Sequence, residues 1–74
     1  MNTLKIGDIF HNSNGNDYLV LAVKPEQDYT LLFNLQERYT RFNCAWGVNP
    51  ESRSWAQGHY FETIEDAVAY WNNL

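Results

Sequence analysis

Short apolar runs separated by turn residues fill most of this chain, and a helical spacing of apolar residues closes it. "KIGDIFH" and "DYLVLAVK" flank "NSNGN", where Asn14-Gly15 is the strongest hairpin signal present. A two-residue turn there sets His11 opposite Tyr18, Ile9 opposite Val20 and Asp8 opposite Leu21. Lys24 to Asp28 reads as a connection, because Pro25 lacks a ladder donor and its neighbours are polar. "YTLLFNL" is apolar on both faces and so predicts a central strand. "YTRFNCAWGV" and "WAQGHYF" predict the fourth and fifth strands, joined by the loop "NPESRS". The strands are expected to follow one another as an antiparallel meander.

The last element is a helix. Thr63 caps it, Asp66 stands three residues on, and Glu65 lies in the first turn, where the helix dipole favours acids. Ile64, Ala67, Val68, Trp71 and Leu74 recur at helical spacing and make one apolar stripe. Glu65, Asp66, Ala69 and Asn73 lie opposite. So short a helix is marginal alone and needs a surface to cover. The fold expected is α+β: one domain over residues 1–74, a strongly curled antiparallel sheet of five strands with the C-terminal helix packed on it.

Length sharpens the demand for burial. At 74 residues the chain is near the size where one core barely offsets conformational entropy. Three Trp, five Tyr and four Phe supply large burial per residue. A single cysteine excludes an internal disulfide. No apolar run approaches the roughly 18 residues of a membrane span. The start "MNTLKIGDIF" lacks the basic end and apolar stretch of a signal peptide, so a cytoplasmic location is expected and no membrane partner. Nine acids against five bases make nucleic acid an unlikely partner, because phosphate binding needs clustered bases.

The densest chemistry lies in "NCAWGVNPESRSWAQGHYF", residues 43–61. A loop from Asn49 to Ser54 pairs Val48 with Trp55, Trp46 with Gln57, Cys44 with His59 and Phe42 with Phe61. A thiol opposite an imidazole is the start of a cysteine-nucleophile arrangement. Its third member, an orienting Asn or Asp, would have to be Asn43, which alternation places on the wrong face, or come from elsewhere, such as Asp8 or Asp17. Nothing at Cys44 lowers a thiol pKa, so a small buried hydrophobe is the expected role. No catalytic residue is assigned. Metal-ligand spacing and phosphate-cradling loops are absent too, and no cofactor is implied.

Alternation sorts these strands into two faces. One carries Phe42, Cys44, Trp46, Val48, Trp55, Gln57, His59 and Phe61. The other is a smooth strip of Ala45, Gly47, Ala56 and Gly58, which a backbone or helix can approach closely. Either the bulky face is core, the reading favoured here, or the helix covers the strip and leaves tryptophans exposed as interface anchors. Tyr39 and Arg41 face away from Phe42 and Cys44. With Tyr60, Arg53 and Trp55 they are candidates for contact with a partner. Glu62, Glu65 and Asp66 are candidates on the acidic helix face.

"GDIF", the "NGNDYLVL" hairpin and the ending "GHYFETIEDAVAYW" together resemble small uncharacterised proteins of Gram-positive bacteria, their phages and mobile elements. The resemblance spans most of the chain, implies an accessory or regulatory role, and transfers no site residue. The leading expectation is a non-enzymatic interaction module whose partner is another protein or a second copy. A second reading is an acidic anti-defence inhibitor that occupies a nucleic-acid-binding surface. A third is weak binding of single strands through Arg38, Arg41, Arg53 and neighbouring aromatics.

Overall fold

Runs rich in aromatic and β-branched residues favour the pleated, half-buried environment of a sheet, and here they pair in chain order. The computed structural model describes residues 4–36, 38 and 41–74. Its elements are β1 (Ile9–His11), β2 (Asp17–Lys24), β3 (Tyr29–Asn34), β4 (Phe42–Trp46), β5 (Gln57–Phe61) and α1 (Ile64–Asn72). The five strands form one antiparallel sheet in the order β1-β2-β3-β4-β5. It is an open meander with the helix packed on β4 and β5. The expected fold class is therefore observed, and β3, apolar on both faces, is indeed central.

The first hairpin corrects the expected register by one residue. Ile9 pairs with Leu19, Phe10 with Tyr18 and His11 with Asp17. The loop holds Ser13 as well as Asn14 and Gly15: the Gly15 amide donates to the Asn12 carbonyl, and the Asn12 amide to the Asn16 carbonyl. Gly15 has the positive φ, 92°, that ends a turn of this length. A one-residue slip flips every side chain, and burial explains which register wins. The observed pairing puts Phe10 and Tyr18 together on the face that also buries Val20.

Both faces of the sheet carry a core. On one, Phe10, Tyr18, Val20, Leu32 and Ala45 are buried, with Leu4, Val23, Val48 and Trp55 against them. The cover there is the β4–β5 connection. Trp55 sets its ring edge-on to Tyr18 at 5.1 Å and lies 6.0 Å from Phe10. Gly58 makes room, since a Cβ at that position would stand 3.1 Å from the Trp55 indole nitrogen. The smooth strip thus receives a tryptophan rather than the helix. Trp55 does not share the face of Cys44, as strict alternation had placed it, because the ladder ends at Trp46 and Gln57 and the chain bends beyond both, at Gly47 with a φ of 70° and at Ala56. Below those bends the expected register holds: Phe42 with Phe61, Cys44 with His59 and Trp46 with Gln57.

The other face packs under the helix. Leu31, Cys44 and Ala67 are buried together, surrounded by Leu21, Ala22, Phe42, Phe61, Tyr70 and Trp71. An irregularity between Val20 and Ala22 brings both Leu21 and Ala22 to this side, and such bulges bend and twist a strand. Thr63 caps the helix as expected, its hydroxyl accepting from the Asp66 amide at 3.2 Å. At the far end Lys24 donates to the Trp71 carbonyl at 2.5 Å and lies 4.8 Å from the centre of its ring. A cation there complements the negative end of the helix dipole. The buried stripe is rotated from the one expected. Ala67 is fully buried, but Ile64 and Val68 remain 40% and 39% exposed. Phe42 and Phe61 crowd the sheet surface, so the closest approach falls to a small residue.

Asn43 breaks the apolar pattern. It lies between Leu32 on β3 and Tyr60 on β5, is fully buried, and among the described residues neither polar side-chain atom has a hydrogen-bond partner. An unsatisfied buried amide costs about 1–3 kcal/mol. Asn43→Leu is therefore expected to hold or raise stability in a urea titration. A loss above roughly 1 kcal/mol would show that the amide is satisfied in solution.

Candidate functional site

The residues expected to meet a partner do not gather in one place. Trp55 is a core anchor. Arg53 sits at the end of the β4–β5 loop, where its Nε donates to the His11 carbonyl at 3.2 Å. That bond draws it to the β1–β2 hairpin and away from Tyr60. Arg41 is exposed just before β4, and its carbonyl accepts from the Asn34 amide. Tyr60 is 62% exposed on β5. Tyr39 lies outside the described residues. Glu62, Glu65 and Asp66 are all exposed around the start of the helix and form one acidic end.

Cys44 and His59 are opposed across β4 and β5, as expected. The thiol is fully buried, with its sulfur 3.9 Å from the Ala67 carbonyl. Burial raises its pKa from 9.0 to about 11, against a smaller lowering by Lys24. The His59 ring lies 4.8 Å from Tyr70. Burial also raises the pKa of Tyr70, helped by a hydrogen bond with Tyr29. At neutral pH the thiol keeps its proton and has little nucleophilic character. Alkylation of Cys44 in the folded protein is expected to be slow and to quicken only with unfolding; rapid modification at pH 7 would contradict this. The unfolded thiol ionises first as pH rises, so this group's contribution to stability is present below 9.0 and is lost through about 11. Among the described residues no cluster of three or more His, Cys, Asp and Glu is placed to hold a metal.

A different surface emerges from the register. Ile9 pairs with Leu19, Leu19 with Phe33, Phe33 with Phe42 and Phe42 with Phe61. Opposed residues share a face, so one apolar row crosses all five strands on the helix side. The helix covers only part of it. Tyr70 packs against Phe61 and His59 of β5, whereas Trp71 leans toward Lys24 of β2. Ile64 and Val68 precede Trp71 by seven and three positions and so lie on that same side, toward β2 and β3. Ile9, Leu19, Phe33, Ile64 and Val68 belong to neither core. They form an apolar shelf beside the helix, and Ile9 is 44% exposed. Glu65 stands one turn before Val68, and no lysine or arginine lies on the helix.

Sequence reasoning missed this shelf because it assigned Ile64 and Val68 to the core. It also missed the side-chain pair His11–Asp17, 2.7 Å apart across β1 and β2. A three-residue hairpin loop would have placed those two residues opposite each other. No described helix is long and apolar enough to cross a membrane. Compared with protein-family models, curated proteins and solved structures, the chain matches none of them.

Proposed function

We propose that the protein is a non-enzymatic interaction module that receives a basic, amphipathic segment of a partner protein. The observation that carries this reading is the shelf of Ile9, Leu19, Phe33, Ile64 and Val68 left outside both cores. In a chain this small, apolar side chains that join neither core serve a partner better than they serve the fold. The charge of the partner follows from the rim. Glu65 stands exposed one turn before Val68, Glu62 and Asp66 are exposed at the same end of the helix, and the chain carries a net charge of −4. Such a rim steers a basic segment in, and apolar burial then holds it.

The test is a titration with a labelled helical peptide of leucines and lysines, read by anisotropy. A dissociation constant on the order of micromolar is expected. Ile64→Ser with Val68→Ser should weaken binding about tenfold or more, since two half-exposed aliphatic contacts are lost. Glu65→Lys with Asp66→Lys should weaken it at physiological salt and matter little at high salt. Glu26→Lys, in the β2–β3 connection, should change nothing. If only the charge reversal matters, the shelf is not the site, and the acidic-inhibitor reading takes its place.

A further inference from the structure

The β1–β2 hairpin and the β4–β5 loop enclose a cleft of about 380 Å³, lined by Ile9, Phe10, His11, Asp17, Pro50 and Arg53 among others. That is the size of a small-ligand pocket. Arg53 enters it from a distant part of the chain and is held at three points. Its amide donates to the Asn49 carbonyl at 2.9 Å, its carbonyl accepts from the Ser13 amide at 2.8 Å, and its Nε donates to the His11 carbonyl at 3.2 Å. The backbone there has a φ of 59°, a left-handed conformation that an arginine adopts only when its surroundings impose it. Within the described residues Nε is the guanidinium nitrogen with a partner, so both terminal amino groups are left for another acceptor.

His11 is held as well. Its Nδ1 lies 2.7 Å from an Asp17 oxygen, and the Asp17 amide donates to the Gln36 side chain at 3.1 Å. A carboxylate only accepts, so Nδ1 carries the proton; the unprotonated Nε2 then accepts rather than donates, and a bound carboxylate is left to Arg53. Ile9, Phe10 and Pro50 supply apolar wall.

We propose that this cleft binds a carboxylate carried on a small apolar body. A guanidinium with free terminal amino groups matches the two oxygens of a carboxylate. Asp17 is a negative charge in the same cleft that opposes any anion, and it opposes a dianion such as a phosphate monoester more strongly than a monoanion, so Arg53 must outweigh it at closer range. The apolar wall then selects an acid with an aliphatic substituent, whether a free acylated amino acid or the C-terminal residue of a peptide.

The experiment is an NMR titration of the ¹⁵N-labelled protein with N-acetyl-leucine, N-acetyl-leucine amide and an acetylated pentapeptide ending in leucine. The acid is expected to shift the amides of Asn12, Gly15 and Arg53 saturably, with a dissociation constant on the order of 1 mM. The amide derivative should leave them unmoved. A pentapeptide at least tenfold tighter than the free acid assigns the site to chain termini, and equal or weaker binding assigns it to free acids. Arg53→Gln should weaken the acid at least about tenfold. If that variant disturbs the loop, seen as a change in the Trp55 indole resonance, the comparison of acid with amide in the unaltered chain decides. Equal shifts from acid and amide, or none with the acid up to about 10 mM, would overturn the proposal.

Discussion

Trp55→Ala is expected to cost roughly 3 kcal/mol, a large share of the total for a domain this size, for which about 4–11 kcal/mol is typical. The indole covers Phe10 and Tyr18 and fills the space above Gly58. Alanine would open that space to water on a face whose other cover is Leu4, Val23 and Val48. The loop from Asn49 to Ser54 would lose its anchor, and with it the hold on Arg53. Urea denaturation followed by circular dichroism measures the loss as a lower midpoint. An unchanged midpoint would mean that Trp55 serves a partner, as the competing expectation from the sequence had it.

The second large effect concerns the rotation of the helix. Ala67→Leu should destabilise the fold by about 1–3 kcal/mol, because it forces a larger side chain into a contact already closed against Leu31 and Cys44. Val68→Ser, one residue on, should cost less than about 1 kcal/mol, because Val68 is 39% exposed. The order of the two effects is the test. If Val68→Ser were the more damaging, the stripe would be the one its apolar spacing suggests, and the shelf would not exist. Thermal melts of both variants in one buffer settle the order.

The order of elements was legible because each strand and the helix carry their own local signals. Thr63, Glu65 and Asp66 mark the helix start, and the polar run around Pro25 separates β2 from β3. What escaped was decided over longer range. Asn14-Gly15 announces a turn, but whether Ser13 belongs to it depends on Phe10 meeting Tyr18 across the strands. Hydropathy ranks Ile64 and Val68 above Ala67, yet a sheet surface crowded by Phe42 and Phe61 admits the smaller residue. Alternation carries Trp55 to the face of Cys44 only if both strands stay extended through Gly47 and Ala56, and both bend there. Arg53 reaches His11 across 42 positions, and no local pattern announces that contact. The acidic helix start was legible as surface, whereas the shelf it borders requires the register of all five strands.

The most direct measurement is the location of the partner surface on the protein itself. In ¹⁵N and methyl spectra recorded with the basic amphipathic peptide, shifts are expected at Ile9, Leu19, Phe33, Ile64 and Val68, with smaller ones at Glu65 and Asp66. The amides around Tyr60 and Asn43, on the opposite face of the sheet, should stay in place. Shifts centred on Tyr60, or spread evenly over both faces, would contradict the account.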